Sequence, residues 1–163
     1  MSRTEFSVGP VSLQAVVDRT LKALEPTIES SNASIEVQRD LPDVVGFSLI
    51  LERAASNLLN NALKYKMPNT SPKVYIGAEQ SQQTVRWFFQ DNGIGIEKAY
   101  QTKIFEPFER LHGSESYSGT GFGLAIVQRG INRLGGRCGV ESELGKGSCF
   151  WIELPAAKPE ESA

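Results

Sequence analysis

Asn57, Asn61, Lys64 and Tyr65 stand at i, i+4, i+7 and i+8 in the run "FSLILERAASNLLNNALKY". On a helix, at ~100° per residue, these four share one face. That face lies about a quarter turn from an apolar stripe of Leu51, Ala55, Leu58 and Ala62, at the edge of a core and not in open water. Asparagine is a poor helix-interior residue because its amide competes with the backbone. Its oxygen is, however, a neutral hard ligand of the kind Mg²⁺ takes, and a lysine one turn on can meet phosphate charge. The competing reading is a solvated polar face, which Glu52, Ser56 and Asn60 offer nearby.

Two further stretches carry chemistry. In "DNGIGI", Asp91 to Ile96, a carboxylate comes just after Phe88, Phe89 and Gln90 and precedes Gly93 and Gly95. Alone, Asp-Asn-Gly is a turn former. At a strand end it can also accept from the exocyclic amine of a bound base, with the glycines letting backbone close around the ring. The third stretch is "GTGFGL", residues Gly119, Thr120, Gly121, Phe122, Gly123 and Leu124, feeding a helix. The first N–H groups of a helix have no internal partner, so such a turn suits an anion, or is simply a turn. The P-loop is excluded because Leu124-Ala125 stands where Lys-Ser or Lys-Thr is required. The dinucleotide fold is excluded because a polar loop, not a strand, precedes these glycines, and the third glycine is misplaced.

The elements that position these residues follow from periodicity. Residues 12–30 have helical spacing from Leu13 to Ile28, with Ser12 as candidate cap and Pro26 as a kink. "ASIEVQRDLP" alternates as a strand, and 47–65 is helical. "KVYIGAEQ" and "TVRWFFQD" form a hairpin through "SQQ", and a long loop spans about 92–118. A helix then runs to about 134, and "RCGVESEL" and "SCFWIELP" form a second hairpin through "GKG". This order predicts an α+β, two-layer sandwich with a largely antiparallel sheet.

Composition bounds the rest. With 163 residues, 40% hydrophobic and 22% charged, the chain is one globular domain with short tails. A net charge of −2 argues against nucleic-acid binding. No apolar run approaches the ~20 residues of a membrane span, and "MSRTEFSVGP" lacks a signal-peptide core. Cys138 and Cys149 are isolated and read as reduced, buried thiols, which suits the cytoplasm.

Four blocks in order, "NLLNNALKY", "DNGIGI", "IFEPFERLHG" and "GTGFGLAI", resemble the asparagine, first glycine, phenylalanine and second glycine boxes of sensor histidine kinases. These kinases share the Bergerat ATP-binding fold with gyrase-type ATPases (the GHKL superfamily). The wording around the lid is most similar to phytochrome-type kinases. The resemblance covers residues 11–155, leaving 1–10 as a linker from a missing dimerisation and phosphoacceptor hairpin, and 156–163 as a flexible tail. It implies an ATP lid over about 97–120, ending in the glycine turn whose amides contact nucleotide, with Ile96 among the ATP-binding residues. Asn61 matches the Mg²⁺-ligating asparagine and Asn57 a second polar contact. Lys64 and Tyr65 match nucleotide-contacting positions, Asp91 the adenine-amine acceptor, and Gly93 and Gly95 the adenine-side turn. Arg110 matches a lid arginine that reaches the terminal phosphate, so Asn57, Lys64 and Arg110 are the expected catalytic residues. Phe105 and Phe108 match lid anchors, or equally ordinary core aromatics. Lys103 reads as a solvated lid charge.

Departures from the pattern sharpen the expectation. Gyrase-type relatives carry Glu at the position of Asn57, and an amide cannot act as a general base at neutral pH. Transfer of the γ-phosphate is therefore expected over rapid hydrolysis. Phe47 replaces a common acidic residue, and Lys66 a Ser or Thr. The single histidine, His112, lies in the lid without a helical setting, so the phosphoacceptor is expected on another domain. The resemblance implies a homodimeric parent kinase, a monomeric isolated domain and a downstream response regulator. A nucleotide-binding module without catalysis, and less so a gyrase-like ATPase, remain as alternatives.

Overall fold

The computed structural model describes residues 7–106 and 123–157. The elements are β1 (Gly9–Ser12), α1 (Leu13–Ala23), α2 (Glu25–Ser30), β2 (Ser34–Val37), β3 (Asp43–Gly46), α3 (Ser48–Lys64), β4 (Lys73–Gln80), β5 (Thr84–Asp91), α4 (Gly123–Arg133), β6 (Arg137–Glu143) and β7 (Gly147–Pro155). Five strands form one sheet in the order β2-β4-β5-β7-β6, parallel at β2–β4 and antiparallel elsewhere. This is the expected two-layer α/β sandwich, with its mixed, mostly antiparallel sheet.

Alternation of side chains divides the sheet. Val74, Ile76, Val85, Trp87, Phe89, Phe150, Ile152 and Leu154 point inward and are buried. Against them lie Leu13, Val16 and Val17 of α1, Leu51, Leu58 and Leu59 of α3, and Val127 and Ile131 of α4. Each fully buried aliphatic side chain contributes roughly 1.5–3 kcal/mol. Ala54, Ala55 and Ala62 keep α3 low against its neighbours, so this helix runs through the core with only an edge toward solvent. The opposite sheet face carries Trp151, with the Arg86 guanidinium 4.0 Å above its ring and Glu153 bridging Arg86 and Arg137.

The expected helix over 12–30 divides at Leu24. Ser12 caps α1, its Oγ accepting the Ala15 N–H at 3.1 Å. Pro26 falls in the first turn of α2, where a missing N–H costs nothing. A second sheet is new: β1 pairs antiparallel with β3, and Val44 also bridges to Ala156. Gly9 and Pro10, read from sequence as linker, form the first half of β1, and the Ala157 N–H donates to the Asp43 carbonyl at 3.2 Å. Both strands are four residues long, and β1 contains a proline, so neither shows a strand period. Residues 98–100 and 103–105, expected as featureless loop, form 3-10 turns that bury Ile104 and Phe105.

Candidate functional site

Helix α3 ends where the site begins. Tyr65 leaves helical geometry (φ −98°, ψ 54°), its N–H still bonded to the Asn61 carbonyl at 3.0 Å. Its own carbonyl accepts the Ile94 N–H at 3.0 Å, joining the helix end to the glycine turn after β5. Tyr65 thus caps the helix and does not extend it.

Three glycines make that junction possible. A Cβ at Gly93 would collide with the Tyr65 carbonyl oxygen. Gly95 (φ +79°) sits against the Glu143 carbonyl, and Gly147 (φ +96°) against the Asp91 carbonyl. The positive φ values require glycine independently of the space. The Ile94 carbonyl accepts the Gly145 N–H at 2.8 Å, closing the turn onto the β6–β7 connection.

Asp91 lies at the centre of this junction, on the inner face at the end of β5. Its Oδ1 accepts the Gly93 N–H at 2.8 Å and the Ser148 N–H at 3.2 Å. Among the described residues Oδ2 receives no hydrogen bond, leaving an acceptor directed elsewhere. Burial raises the Asp91 pKa to about 6, outweighing the two backbone N–H groups that pull it down. The neighbouring Asn92 holds the chain in place, its side chain accepting from the Lys73 N–H at 2.8 Å and donating to the Ser71 carbonyl at 3.2 Å.

At the other side of α3, the Asn57 amide donates to the Gly123 carbonyl at 3.3 Å, meeting the start of α4. Asn61 stands one turn further on, half-buried, and the Lys64 ammonium lies 6.0 Å from the Tyr65 ring centre. One helix therefore brings Asn57, Asn61, Lys64 and Tyr65 between the Asp91 junction and the first turn of α4. Leu124, in that turn, packs against the core. Phe105 packs edge-on to Phe150 at 6.3 Å, with Ile104 a second anchor that sequence reasoning passed over. Arg110, Gly119, Thr120, Gly121 and Phe122, with Phe108 and His112, lie outside the described residues.

Sequence reasoning also missed a hydroxyl network. Ser142 Oγ accepts the Ile96 N–H at 2.8 Å and donates to the Gly147 carbonyl at 2.8 Å, and Ser148 Oγ is 2.8 Å away. Gln101 Nε2 donates to the Ile96 and Ser142 carbonyls, both at 2.9 Å. The one signal in the sequence was the alternation in "VESELGKGSCF", which puts both serines on the inner face. Cys138 and Cys149 are free thiols on opposite faces, both pushed up to about 11 chiefly by burial.

A divalent ion would find a restricted donor set here. Among the described residues, no group of three or more His, Cys, Asp or Glu side chains converges. An amide oxygen with a lysine nearby fits Mg²⁺ held largely by phosphate and water, the ordinary habit of that ion. No helix among the described residues is long and apolar enough to cross a membrane.

Comparison with known proteins identifies the family and the fold. The profile of the histidine kinase-, DNA gyrase B- and HSP90-like ATPases matches residues 46–158. The phytochrome-like protein Cph1 of Synechocystis is 38% identical over 143 residues, covering 88% of this chain and 19% of Cph1. The chain thus spans about a fifth of the length of the curated relatives it matches. Among solved structures, the mycobacterial sensor histidine kinase MprB superposes with a TM-score of 0.80 at 30% identity, over 91% of this chain and 98% of that one. Full-length ShkA, solved in complex with AMPPNP, gives a TM-score of 0.80 at 28% identity, over 94% of this chain and 32% of that one. On a profile match across most of its length and a near-complete structural counterpart, the chain belongs to the histidine kinase-, DNA gyrase B- and HSP90-like ATPase family, on its sensor histidine kinase side.

Proposed function

We propose that this domain binds Mg-ATP and transfers the γ-phosphate to a histidine on a separate helical hairpin of a parent sensor kinase. One observation carries the reading: helix α3 links a half-buried carboxylate acceptor at one end, through Tyr65 and Gly93, to the first turn of α4 at the other, through Asn57. In this reading the free oxygen of Asp91 accepts from the adenine amine, and Gly93, Gly95 and Ile96 form the turn beside the base. Lys64 and Arg110 meet phosphate charge, and the amides of Gly119 to Leu124 approach the phosphates. Asn61 offers its amide oxygen to Mg²⁺, which when bound supplies charge neutralisation at the phosphates.

Phosphoryl transfer depends on positioning and charge neutralisation more than on covalent help from the protein. Asn57 offers an amide where a hydrolase needs a base, so water in the site stays unactivated. The phosphate is thereby kept for the incoming imidazole. The acceptor hairpin, a homodimeric parent and a response regulator that receives the phosphate complete the proposal.

Incubation of the domain with labelled ATP, with and without a cognate histidine hairpin, tests it. The expected result is label on the hairpin, lost in Asn61→Ala. Acid-labile label on the isolated chain, abolished by His112→Gln, would place the substrate histidine in this chain instead.

A further inference from the structure

Asp91, Ser148 and Ser142 are direct cross-strand neighbours on β5, β7 and β6. They form a polar row across a sheet face that Phe89, Phe150 and Val140 otherwise make apolar. Ser142 Oγ lies 2.8 Å from each of three groups: the Ile96 N–H, the Gly147 carbonyl and Ser148 Oγ. A hydroxyl has one proton and two acceptor positions. An N–H can only be accepted, and a carbonyl can only be donated to. The single proton of Ser142 is therefore committed to Gly147, and one lone pair to Ile96. The lone pair that remains takes the proton of Ser148.

We propose that Ser142 is a positioning residue for nucleobase selection: it fixes the Ser148 proton, so that Ser148 meets a ligand beside Asp91 only as an acceptor. This rests on the nucleotide-binding reading above and deepens it. Ser148 is 8% exposed, and its own N–H already bonds Asp91, so the two side chains share one edge of the site. Two acceptors match an exocyclic amine, which carries two N–H groups. A carbonyl at the same place meets only lone pairs. Without the Ser142 oxygen, the Ser148 hydroxyl turns freely and can donate, giving a guanine-type carbonyl the partner it lacked.

Equilibrium binding of ATP and of GTP is measured on wild type, Ser142→Ala, Ser148→Ala, the double variant and Ser142→Thr. The ATP-over-GTP preference is a ratio taken on one preparation, so a partly unfolded sample does not move it. Ser142→Ala should lower the preference about tenfold, the size of one polar pairing, mainly through tighter GTP binding. Ser142→Thr, which keeps the hydroxyl, should retain the wild-type preference. With Ser148→Ala already present, removing Ser142 should change the preference no further. An unchanged preference in Ser142→Ala, or an equal fall in both backgrounds, overturns the proposal. A wild type that binds ATP without preferring it to GTP overturns the underlying adenine reading as well, and so separates the two failures.

Discussion

Replacing Asp91 by asparagine should make the nucleotide-free domain more stable and worse at binding ATP. The Asp91 carboxyl moves from 3.8 to about 6 in the fold, chiefly through burial. That is roughly two decades at ~1.4 kcal/mol each, or about 3 kcal/mol as an upper value. Because the folded pKa is raised, the fold favours the protonated form. The contribution is fully present below the unfolded pKa and is lost as pH rises through about 6. Near neutral pH the charged carboxylate is thus a cost to the empty domain. The amide of Asp91→Asn would keep an oxygen for the Gly93 and Ser148 N–H groups and carry no charge. The expected gain at about pH 7.5 is roughly 1–3 kcal/mol, or about 3–10 °C in melting temperature for a chain of this size. The gain should vanish below about pH 4, where wild-type Asp91 is neutral in both states. Urea unfolding of both proteins across this range reads the difference directly. A difference that stays flat with pH, or a mutant no more stable than wild type near neutrality, refutes the argument. ATP binding should move the opposite way, since an amide nitrogen in place of Oδ2 donates where an acceptor is needed.

Gly95→Ala combines a positive φ with a collision against the Glu143 carbonyl; a loss of more than about 2 kcal/mol is expected in denaturant unfolding, and a loss under about 0.5 kcal/mol contradicts the geometry. ATP at ~100 times its dissociation constant should add ~2.7 kcal/mol of stability. In thermal unfolding, Asn61→Ala should remove the Mg²⁺-dependent part of that shift; a wild-type metal response in the mutant argues against Asn61 as the ligand. Cys138 and Cys149, at about 11 against an ordinary 9.0, should react with a thiol reagent about a hundredfold more slowly than an exposed cysteine. Rapid labelling of either in the folded domain would show that burial is not controlling the thiol.

The long elements were legible because each shows its period over several turns or pleats. Helix α3 carries a stripe from Leu51 to Ala62, and β5 alternates Val85, Trp87 and Phe89. The polar groups around Asp91 were legible for another reason, since two asparagines within a helix and glycines after a strand conflict with local preference. β1 and β3 were not, because four-residue strands have no room for a pattern and gain their identity only by pairing. Ile104 and Phe105 sit in 3-10 turns whose burial depends on α4 and β7, far along the chain. Ser142 and Ser148 looked like ordinary strand serines. Their meaning lies in register, which sets them beside Asp91 only after the sheet has formed.

Strand β3 is flanked by the two ends of the domain. Val44 pairs with Val11 on one side and Ala156 on the other. With strands ~4.8 Å apart, the incoming and outgoing backbones pass within ~10 Å of each other. Both run antiparallel to β3, so the backbone enters at Gly9 beside the Gly46 end of β3 and reaches Ala157 beside its Asp43 end, three residues along the same short strand. The same closeness makes the ends suitable for joining by a short linker, with new termini cut at the exposed Ser81–Gln83 turn.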